Sequence, residues 1–584
     1  MNKYRTNTCK ELNESYIGKQ VRISGWLQNY RDHGGVLFLD VRDHYGVMQV
    51  VINEDNKELL EFAEHIGKES TLTVEGIIRK RDKETINEKI STGTIELVAD
   101  ELKVLTKPIE SLPFEIYPDK DIKEDVRLKY RFLDLRRESM HDNIIFRSEV
   151  IKYARELMES LGFMEIQTPI LTASSPEGAR DFVVPSRKYP GKFYALPQAP
   201  QIFKQLLMVS GFDKYYQIAP CFRDEDARAD RTAGEFYQLD LEMSFATAED
   251  VYKVGETVLS SIFKKFSNKK VSETFKKIPY KEAMLKYGTD KPDLRNPLEI
   301  IDLTNELKNT TFKPFMDSII RGIVVDDLAT KSNSWFNELV DYAKSIGMPG
   351  IGYITVNDDM TFKGPIDKFL SEEEREILIK KANLKKGSVL FFIANKSENI
   401  VCKQASMIRD ELGRKMDIID KNSFEFCFIV DFPMYEWDDE LEKYEFTHNP
   451  FSMPQGGLED LTNKKPEDIL AYQYDIVCNG VELVSGAVRN HDLEIMKKAF
   501  EIAGYDEETI KTKFTSLYNA FKFAAPPHAG MAAGIDRMLM LLKDEDNIRN
   551  IIAFPMNASA IDSMMGCPSE ITEHQLREVH IKLR

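Results

Sequence analysis

The chain has 584 residues, 42% of them hydrophobic and 30% charged; that is apolar material for several cores, while no stretch reaches membrane-span length and the polar start, Met1 to Lys10, lacks the apolar run of an export signal, so a cytoplasmic location is expected. The net charge of −17 disfavours partners held by diffuse attraction, such as bulk DNA or an anionic membrane, and residues 1–107, with 16 Lys and Arg against 18 Asp and Glu, are the less repulsive part for a nucleic acid. Six scattered cysteines (Cys9, Cys221, Cys402, Cys427, Cys478, Cys567) without a C-x-x-C pair exclude a disulfide framework and a zinc site, and are expected to be reduced, buried thiols.

In chain order, the first region is β-rich: Val21–Trp26, Val36–Val41, Val47–Val51, Thr71–Gly76 and Ile95–Val98, with a helical insert near Glu54–Ile66. Five short strands split by turn residues predict a small closed barrel of the OB type, and such barrels bind single-stranded nucleic acid with aromatic and basic groups on one face. Arg31, Phe38, Gln49 and Glu96 supply that mixture. Residues 106–135, with Pro108, Pro113 and Pro118, suit an extended hinge. Apolar residues from Ile144 to Leu161 then recur at helical spacing, with Asp142 as the expected cap and Gly162 as the stop. Phe163–Pro169 reads as a strand whose terminal proline belongs at an edge or interface.

Tyr215–Ala219 and Phe236–Leu241 read as two further strands, joined through the charged segment Arg223-Asp224-Glu225-Asp226 and a loop over Arg228–Gly234. Arg223 and Glu225, two residues apart on one strand, are expected on the same face. A second arginine, Arg537, enters on an apolar helix after Gly534, and two convergent arginines suggest a polyphosphate ligand. No G-x-x-x-x-G-K-[ST] occurs, His65–Lys68 closes an acidic helix, and Gly350-Ile351-Gly352 lacks the third glycine of a dinucleotide loop. Side chains and a metal must therefore hold any phosphate. From Tyr287 to Asn422 alternating helices and strands, including Ile319–Val325 and Ser388–Ala394, predict an inserted α+β domain, after which a strand pattern resumes at Phe426–Asp431.

Three of these features, the Pro169 strand, the Phe222–Glu225 strand and the Gly534–Arg537 helix start, resemble motifs one, two and three of class II aminoacyl-tRNA synthetases. Ser175–Phe182, Leu196–Gln205, Tyr287–Asp293 and Asp546–Arg549 are similar to the bacterial aspartyl subgroup, and the likeness runs through essentially the whole chain. It implies a multi-domain α/β protein: an N-terminal OB-fold barrel for the anticodon (1–107), a hinge (108–135), a class II catalytic core on an antiparallel sheet flanked by helices (136–286 and 423–560), an inserted α+β domain (287–422) and a C-terminal extension (561–584). The implied activity joins aspartate to ATP as an adenylate and then to the 3′ end of the tRNA for aspartate. A homodimer is also implied.

By the same resemblance Arg223 holds the α-phosphate, Glu225 sits near the adenine amine, and Phe236 and Arg537 sandwich the adenine, with Arg537 reaching the γ-phosphate. Asp224, Gly534, Ile535, Asp536 and Glu482 join the ATP site, and Asp475 with Glu482 would bind Mg2+, which needs few carboxylates beside phosphate and water. Lys204 and Arg489 match a clamp for the aspartate side chain, Glu177, Gln201 and Asp240 match positions near its ammonium, and His448 lies in a closing loop. Arg31, Phe38, Gln49 and Glu96 would read the anticodon, and His33 beside them extends the expected partners to the tRNA for asparagine. Departures from the family pattern are Leu483–Ala487, read as a loop in place of a glycine run, Asn449, Ala199, and a longer Arg231–Glu235 turn. A catalytically retired paralogue serving as a tRNA-binding scaffold is the alternative, and would have lost some of these charged residues.

Overall fold

The computed structural model describes residues 2–174 and 179–584. Packing divides the chain into two compact units. One runs up to Asn143 and includes Ala553–Pro555 and Asp562–Pro568; the other comprises Ile144–Ile552, Met556–Ile561 and Ser569–Arg584.

In the first unit β1 (Gln20–His33), β2 (Val36–Asp43), β3 (Gly46–Ile52), β4 (Thr71–Lys80) and β5 (Ile95–Thr106) close a barrel in the order β1-β2-β3-β5-β4. Along β2 the buried residues Leu37, Leu39 and Val41 alternate with Phe38, Asp40 and Arg42 on the outer face, as the two-residue period of a strand requires. Leu27, Leu39, Met48, Val50, Leu72 and Val74 fill the interior. Gly76 lies at a register break between β4 and β5, where a Cβ would stand 1.9 Å from the Val98 carbonyl oxygen; only glycine allows the strands to approach so closely.

The second half of the expected extended hinge is helical, with short helices at Glu124–Lys129 and Arg131–Asp134. The buried Asp134 carboxylate explains it: Arg127 at 3.0 Å, Arg137 at 2.8 Å and Arg131 all donate to it, and charge-assisted bonds of this kind outweigh a weak local propensity. The next helix starts at Glu138, earlier than its apolar pattern, because the Ser139 N–H donates to Asp119 Oδ2 at 3.2 Å. A carboxylate distant in sequence thus caps it, and Asp142 lies inside.

The second unit is built on an eight-stranded sheet. The chain enters it through β6 (Met164–Glu165), β7 (Lys214–Arg223), β8 (Gly234–Ser244) and β9 (Lys276–Pro279). It leaves for a five-stranded sheet of β10 (Ile300–Asp302), β11 (Ile319–Val325), β12 (Gly352–Val356), β13 (Phe362–Lys363) and β14 (Val389–Asn395), ordered β10-β11-β14-β12-β13. It returns through β15 (Phe426–Val430), β16 (Gln473–Cys478), β17 (Val481–Arg489) and β18 (His528–Gly534), giving the order β9-β15-β16-β17-β18-β8-β7-β6. The interior pairs are antiparallel, but β9–β15 and β6–β7 at the two edges are parallel, so the sheet is mixed. β6 is shorter than the Phe163–Pro169 strand expected, and it does lie at the edge.

One face of the sheet packs on the helices Glu138–Ser160, Ala248–Phe266 and Ile535–Lys543 through Met158, Leu241, Leu259, Phe263, Ile476 and Leu539. The opposite face is left for polar side chains. Five of the six cysteines are buried; Cys567 is exposed, against expectation, in a tight turn closed by the Cys567 N–H on the Asp562 carbonyl.

Candidate active site

Alternation along the central strands assembles the site. In the antiparallel β7–β8 pair Arg223 stands opposite Gly234, Cys221 opposite Phe236 and Gln217 opposite Asp240. Leu239, Leu241 and Met243 enter the core, so Phe236, Gln238, Asp240 and Glu242 share the other face. Together with residues from β16, β17 and the start of the Ile535–Lys543 helix, this face lines a cavity of about 530 Å³ that includes Arg223, Phe236, Asp240, Glu482, Arg489 and Arg537.

At one end the helix Gln201–Val209 presents Gln201, Lys204 and Gln205 together, as i, i+3 and i+4 spacing dictates. Lys204 Nζ lies 2.5 Å from Asp240 Oδ1 and 3.3 Å from Glu242 Oε2, and Arg489 donates through Nε at 3.0 Å and Nη2 at 3.3 Å to the same Glu242. All four side chains are almost fully buried. Burial pushes the Glu242 carboxyl up, but Arg489, Lys204 and His528 hold it below its usual value; burial raises Asp240, only partly opposed by Lys204. Gly530, opposite Glu242, makes room for this cluster, since a Cβ there would stand 2.1 Å from Glu242 Oε2. Lysine has three donors and arginine five, so neither cation is exhausted by Asp240 and Glu242.

The other end is more open. Arg223 lies 5.0 Å above the Phe236 ring centroid, and its buried Nε has no hydrogen-bond partner. β7 ends at Arg223, so Glu225 is not on the strand as expected; its N–H turns back to the Arg223 carbonyl at 3.0 Å and its carboxylate is held by Arg231 at 2.7 Å. Arg537 Nη1 donates to the Glu482 carbonyl at 2.9 Å.

Leu483–Ala487, read as a loop, lies within β17, whose backbone pairs on both sides with β16 and β18. The register slips between Ile476 and Val477, so that Asp475 faces Ser485 while Val477 faces Glu482. One extra residue in β17 thereby turns Glu482 to the face of Asp475. Asp475 is buried, its Oδ1 has no hydrogen-bond partner, and its carboxyl is raised well above the usual range by burial and then by Glu482. Lys291 Nζ lies 3.3 Å from Glu482 Oε2. An orphaned, buried carboxylate oxygen behind a second carboxylate, Glu482, which lines the arginine-bearing cavity, fits a hard divalent cation that takes its remaining ligands from phosphate and water.

A family model described as tRNA synthetases class II (D, K and N) matches residues 123–558, and one described as OB-fold nucleic acid binding domain matches residues 21–105. The chain is a class II tRNA synthetase of the D, K and N family. Among its relatives, the aspartate–tRNA(Asp/Asn) ligase of Ehrlichia chaffeensis is 52% identical across 100% of this chain and 99% of that protein, and the one of Rickettsia bellii is 53% identical across 100% and 98%. Two solved structures share the fold. An asparaginyl-tRNA synthetase from Pyrococcus horikoshii bound to asparaginyl-adenylate has TM-score 0.58 and 18% identity, covering 94% of this chain and 97% of that one; an aspartyl-tRNA synthetase from Entamoeba histolytica has 0.57 and 20%, covering 94% and 91%.

Of the residues singled out in this synthetase, Arg223, Glu225, Phe236, Glu482, Gly534, Asp536, Arg537, Gln201, Lys204, Asp240, His448 and Arg489 line the one cavity. Asp475, buried behind it, faces Ser485 of the lining. Asp224 does not line it: one residue past the end of β7, it is exposed, and its N–H donates to the Arg180 carbonyl at 3.0 Å. Ile535 packs into the core instead. Asp536 accepts from Arg147 and from the Tyr237 N–H at 3.2 Å, and so anchors the helix start. His448 is exposed, edge-on to Phe432 with ring centres 4.7 Å apart, and desolvation by the surrounding protein lowers its basicity. Glu177 lies outside the described residues. Sequence reasoning missed Glu242, although polar residues at 238, 240 and 242 on an otherwise apolar strand were the available signal. It also missed Arg231, whose pairing with Glu225 has no local signature.

In the barrel unit Arg31 donates to Asp40 at 3.0 Å and Gln49 at 3.1 Å, Gln49 donates to Glu96 at 2.9 Å, and the His33 and Phe38 rings meet edge-on at 5.8 Å. The five residues expected there thus share one face, joined by Arg81 (Nη2 to Gln49, 3.0 Å) and Arg79 (Nε to Glu96, 2.9 Å).

Proposed function

We propose that this synthetase is an aspartate–tRNA ligase acting on the tRNA for aspartate and also on that for asparagine. In the first step a carboxylate oxygen of aspartate attacks the α-phosphorus of ATP, a P–O bond forms, the bond to the β-phosphate breaks and pyrophosphate leaves. In the second the 3′-terminal ribose hydroxyl of the tRNA attacks the activated carbonyl and AMP leaves. The observation that carries the reading is the pair Lys204 and Arg489, buried together on Glu242 in the cavity wall. Two fixed cations suit a carboxylate side chain and repel an ammonium, and a site built around a charged group can reject an uncharged analogue by about 10⁴ to 10⁵.

In this reading Lys204 and Arg489 grip the side-chain carboxylate, while Gln201, Asp240 and Glu177 receive the ammonium and His448 closes over it. Arg223 meets the α-phosphate where charge develops, Arg537 meets the γ-phosphate, Phe236 stacks on adenine and Glu225 accepts from its amine after leaving Arg231. Asp475 and Glu482 hold the divalent ion, with Mg2+ the best match to so few carboxylates, and that ion supplies charge neutralisation for the phosphates. Arg31, His33, Phe38, Gln49 and Glu96 read the anticodon within residues 1–107. Residues 108–135 form a hinge, 136–286 with 423–560 the catalytic domain, 287–422 an insertion and 561–584 an extension. A homodimer is supported by the exposed apolar residues Met164, Ile170 and Leu171 beside the edge strand β6. A cytoplasmic location is consistent with there being, among the described residues, no helix long and apolar enough to cross a membrane.

The deciding test is charging of purified transcripts of both tRNAs with radiolabelled aspartate. Aspartate on both is the expected result; none on the asparagine transcript at high enzyme concentration ends that part of the reading, and none on either ends all of it. Light scattering tests the dimer.

A further inference from the structure

Behind the Lys204–Arg489 end a chain of three buried polar side chains runs from Gln201 to two residues, Gln205 and His528, that the reaction described above does not use. His528, on β18 opposite both Ser244 and Arg489, is fully buried, as is Gln205, and Gln201 is 6% exposed. His528 Nδ1 lies 2.8 Å from the Pro526 carbonyl oxygen, His528 Nε2 lies 3.1 Å from Gln205 Nε2, and Gln201 Nε2 lies 3.2 Å from Gln205 Oε1.

The direction of these bonds follows from elementary hydrogen-bond chemistry. A carbonyl oxygen can only accept, so Nδ1 carries the proton and donates to Pro526. A neutral imidazole then offers Nε2 as an acceptor, and burial lowers the basicity of His528, with Arg489 and His491 acting in the same direction against Glu242 and the Pro526 bond. Gln205 must therefore turn its amide NH2 towards His528, which leaves its Oε1 to accept from Gln201. Gln201 in turn spends its NH2 on Gln205, and Oε1 is the end of its amide left for the cavity it lines. An acceptor is the atom a substrate ammonium requires; the flipped amide would present two N–H groups to a cation.

We propose that His528, acting through Gln205, is a positioning residue that fixes the amide of Gln201 with its oxygen towards the substrate ammonium. The chain begins at the Pro526 carbonyl, so the orientation is set by backbone and does not wait for substrate. This inference rests on the reading of the cavity as an amino-acid site, and its test separates the two.

The experiment is aspartate-dependent ATP–pyrophosphate exchange with the full-length enzyme, together with inhibition by succinate, which has both carboxylates of aspartate and no ammonium. His528→Leu is expected to raise KM for aspartate by roughly tenfold or more, the usual effect of losing a hydrogen bond to a charged group. The KM for ATP and the Ki for succinate should stay within about twofold. His528→Gln, whose Oε1 can take the place of Nε2, should restore most of the aspartate KM. Gln205→Met, which breaks the chain one link further along, should reproduce the leucine phenotype and serves if His528→Leu does not fold. An unchanged aspartate KM in either breaking variant overturns the proposal. So does an equal loss of aspartate and succinate binding, which would mean that the whole pocket had collapsed. A wild-type enzyme without aspartate-dependent exchange overturns the substrate reading itself, and this inference with it.

Discussion

The two ends of the cavity both carry cationic side chains, but they hold them by opposite means. At the Lys204–Arg489 end the side-chain exposures are 2% for Lys204, 3% for Arg489 and 0% for Glu242. At the Arg223–Arg537 end Arg231 is 37% exposed, Glu225 29% and Arg537 28%. A buried pair is costly to leave half-made, whereas an exposed one is worth about 0–1 kcal/mol. In the proposed reading, selectivity for the small substrate is therefore built into the stability of the sheet, and the groups proposed to face the nucleotide can rearrange without endangering the fold.

Breaking each end should expose the contrast, and the largest effect is expected at the buried one. Glu242→Ala leaves Lys204 and Arg489 without their shared carboxylate, and should cost about 3–5 kcal/mol of stability in denaturant unfolding. Next, Arg223→Gln should lower kcat for pyrophosphate exchange by about 10²- to 10³-fold, the usual cost of removing one preorganised donor, while leaving the unfolding midpoint nearly unchanged. A smaller effect is expected with pH. The folded-state pKa of Glu242 is depressed, so between that value and the unfolded value of about 4.3 the unfolded chain binds the extra proton. Its contribution is present in full above about pH 4.3 and is lost as pH falls through the folded value. Unfolding curves of Glu242→Gln should accordingly be less steep in pH over that window than those of the wild type. Least of all, Arg231→Ala, which only releases Glu225, should shift stability by no more than about 1 kcal/mol; a larger loss would show that the open end is as structural as the buried one.

Much of this contrast was legible in the residues. Arg223 and Arg537 stood out because they sit on a strand and an apolar helix, whereas Lys204 and Arg489 were legible only through the resemblance to the aspartyl subgroup. The barrel was legible for the complementary reason, since five short alternating strands leave few other ways to bury one face of each. What escaped was set by long-range geometry. The register slip that turns Glu482 towards Asp475 depends on how β17 pairs with β16, and nothing in the Val481–Arg489 segment announces it. The cap on the Glu138–Ser160 helix comes from Asp119, and the helical turn of the hinge comes from three arginines meeting on Asp134. Asp224 and Ile535 were placed in the site by their neighbours in sequence, but Asp224 lies exposed beyond the end of its strand and Ile535 packs into the core.

In the proposed reading Lys204 and Arg489 read a carboxylate. The most direct test is ATP–pyrophosphate exchange with aspartate, asparagine and lysine in parallel, on the wild type and on Lys204→Met. The wild type should exchange with aspartate, with asparagine and lysine lower by at least roughly 10³-fold, and Lys204→Met should lose about 10²-fold or more of its aspartate activity. Comparable exchange with asparagine or lysine, or a Lys204→Met enzyme as active on aspartate as the wild type, would contradict it.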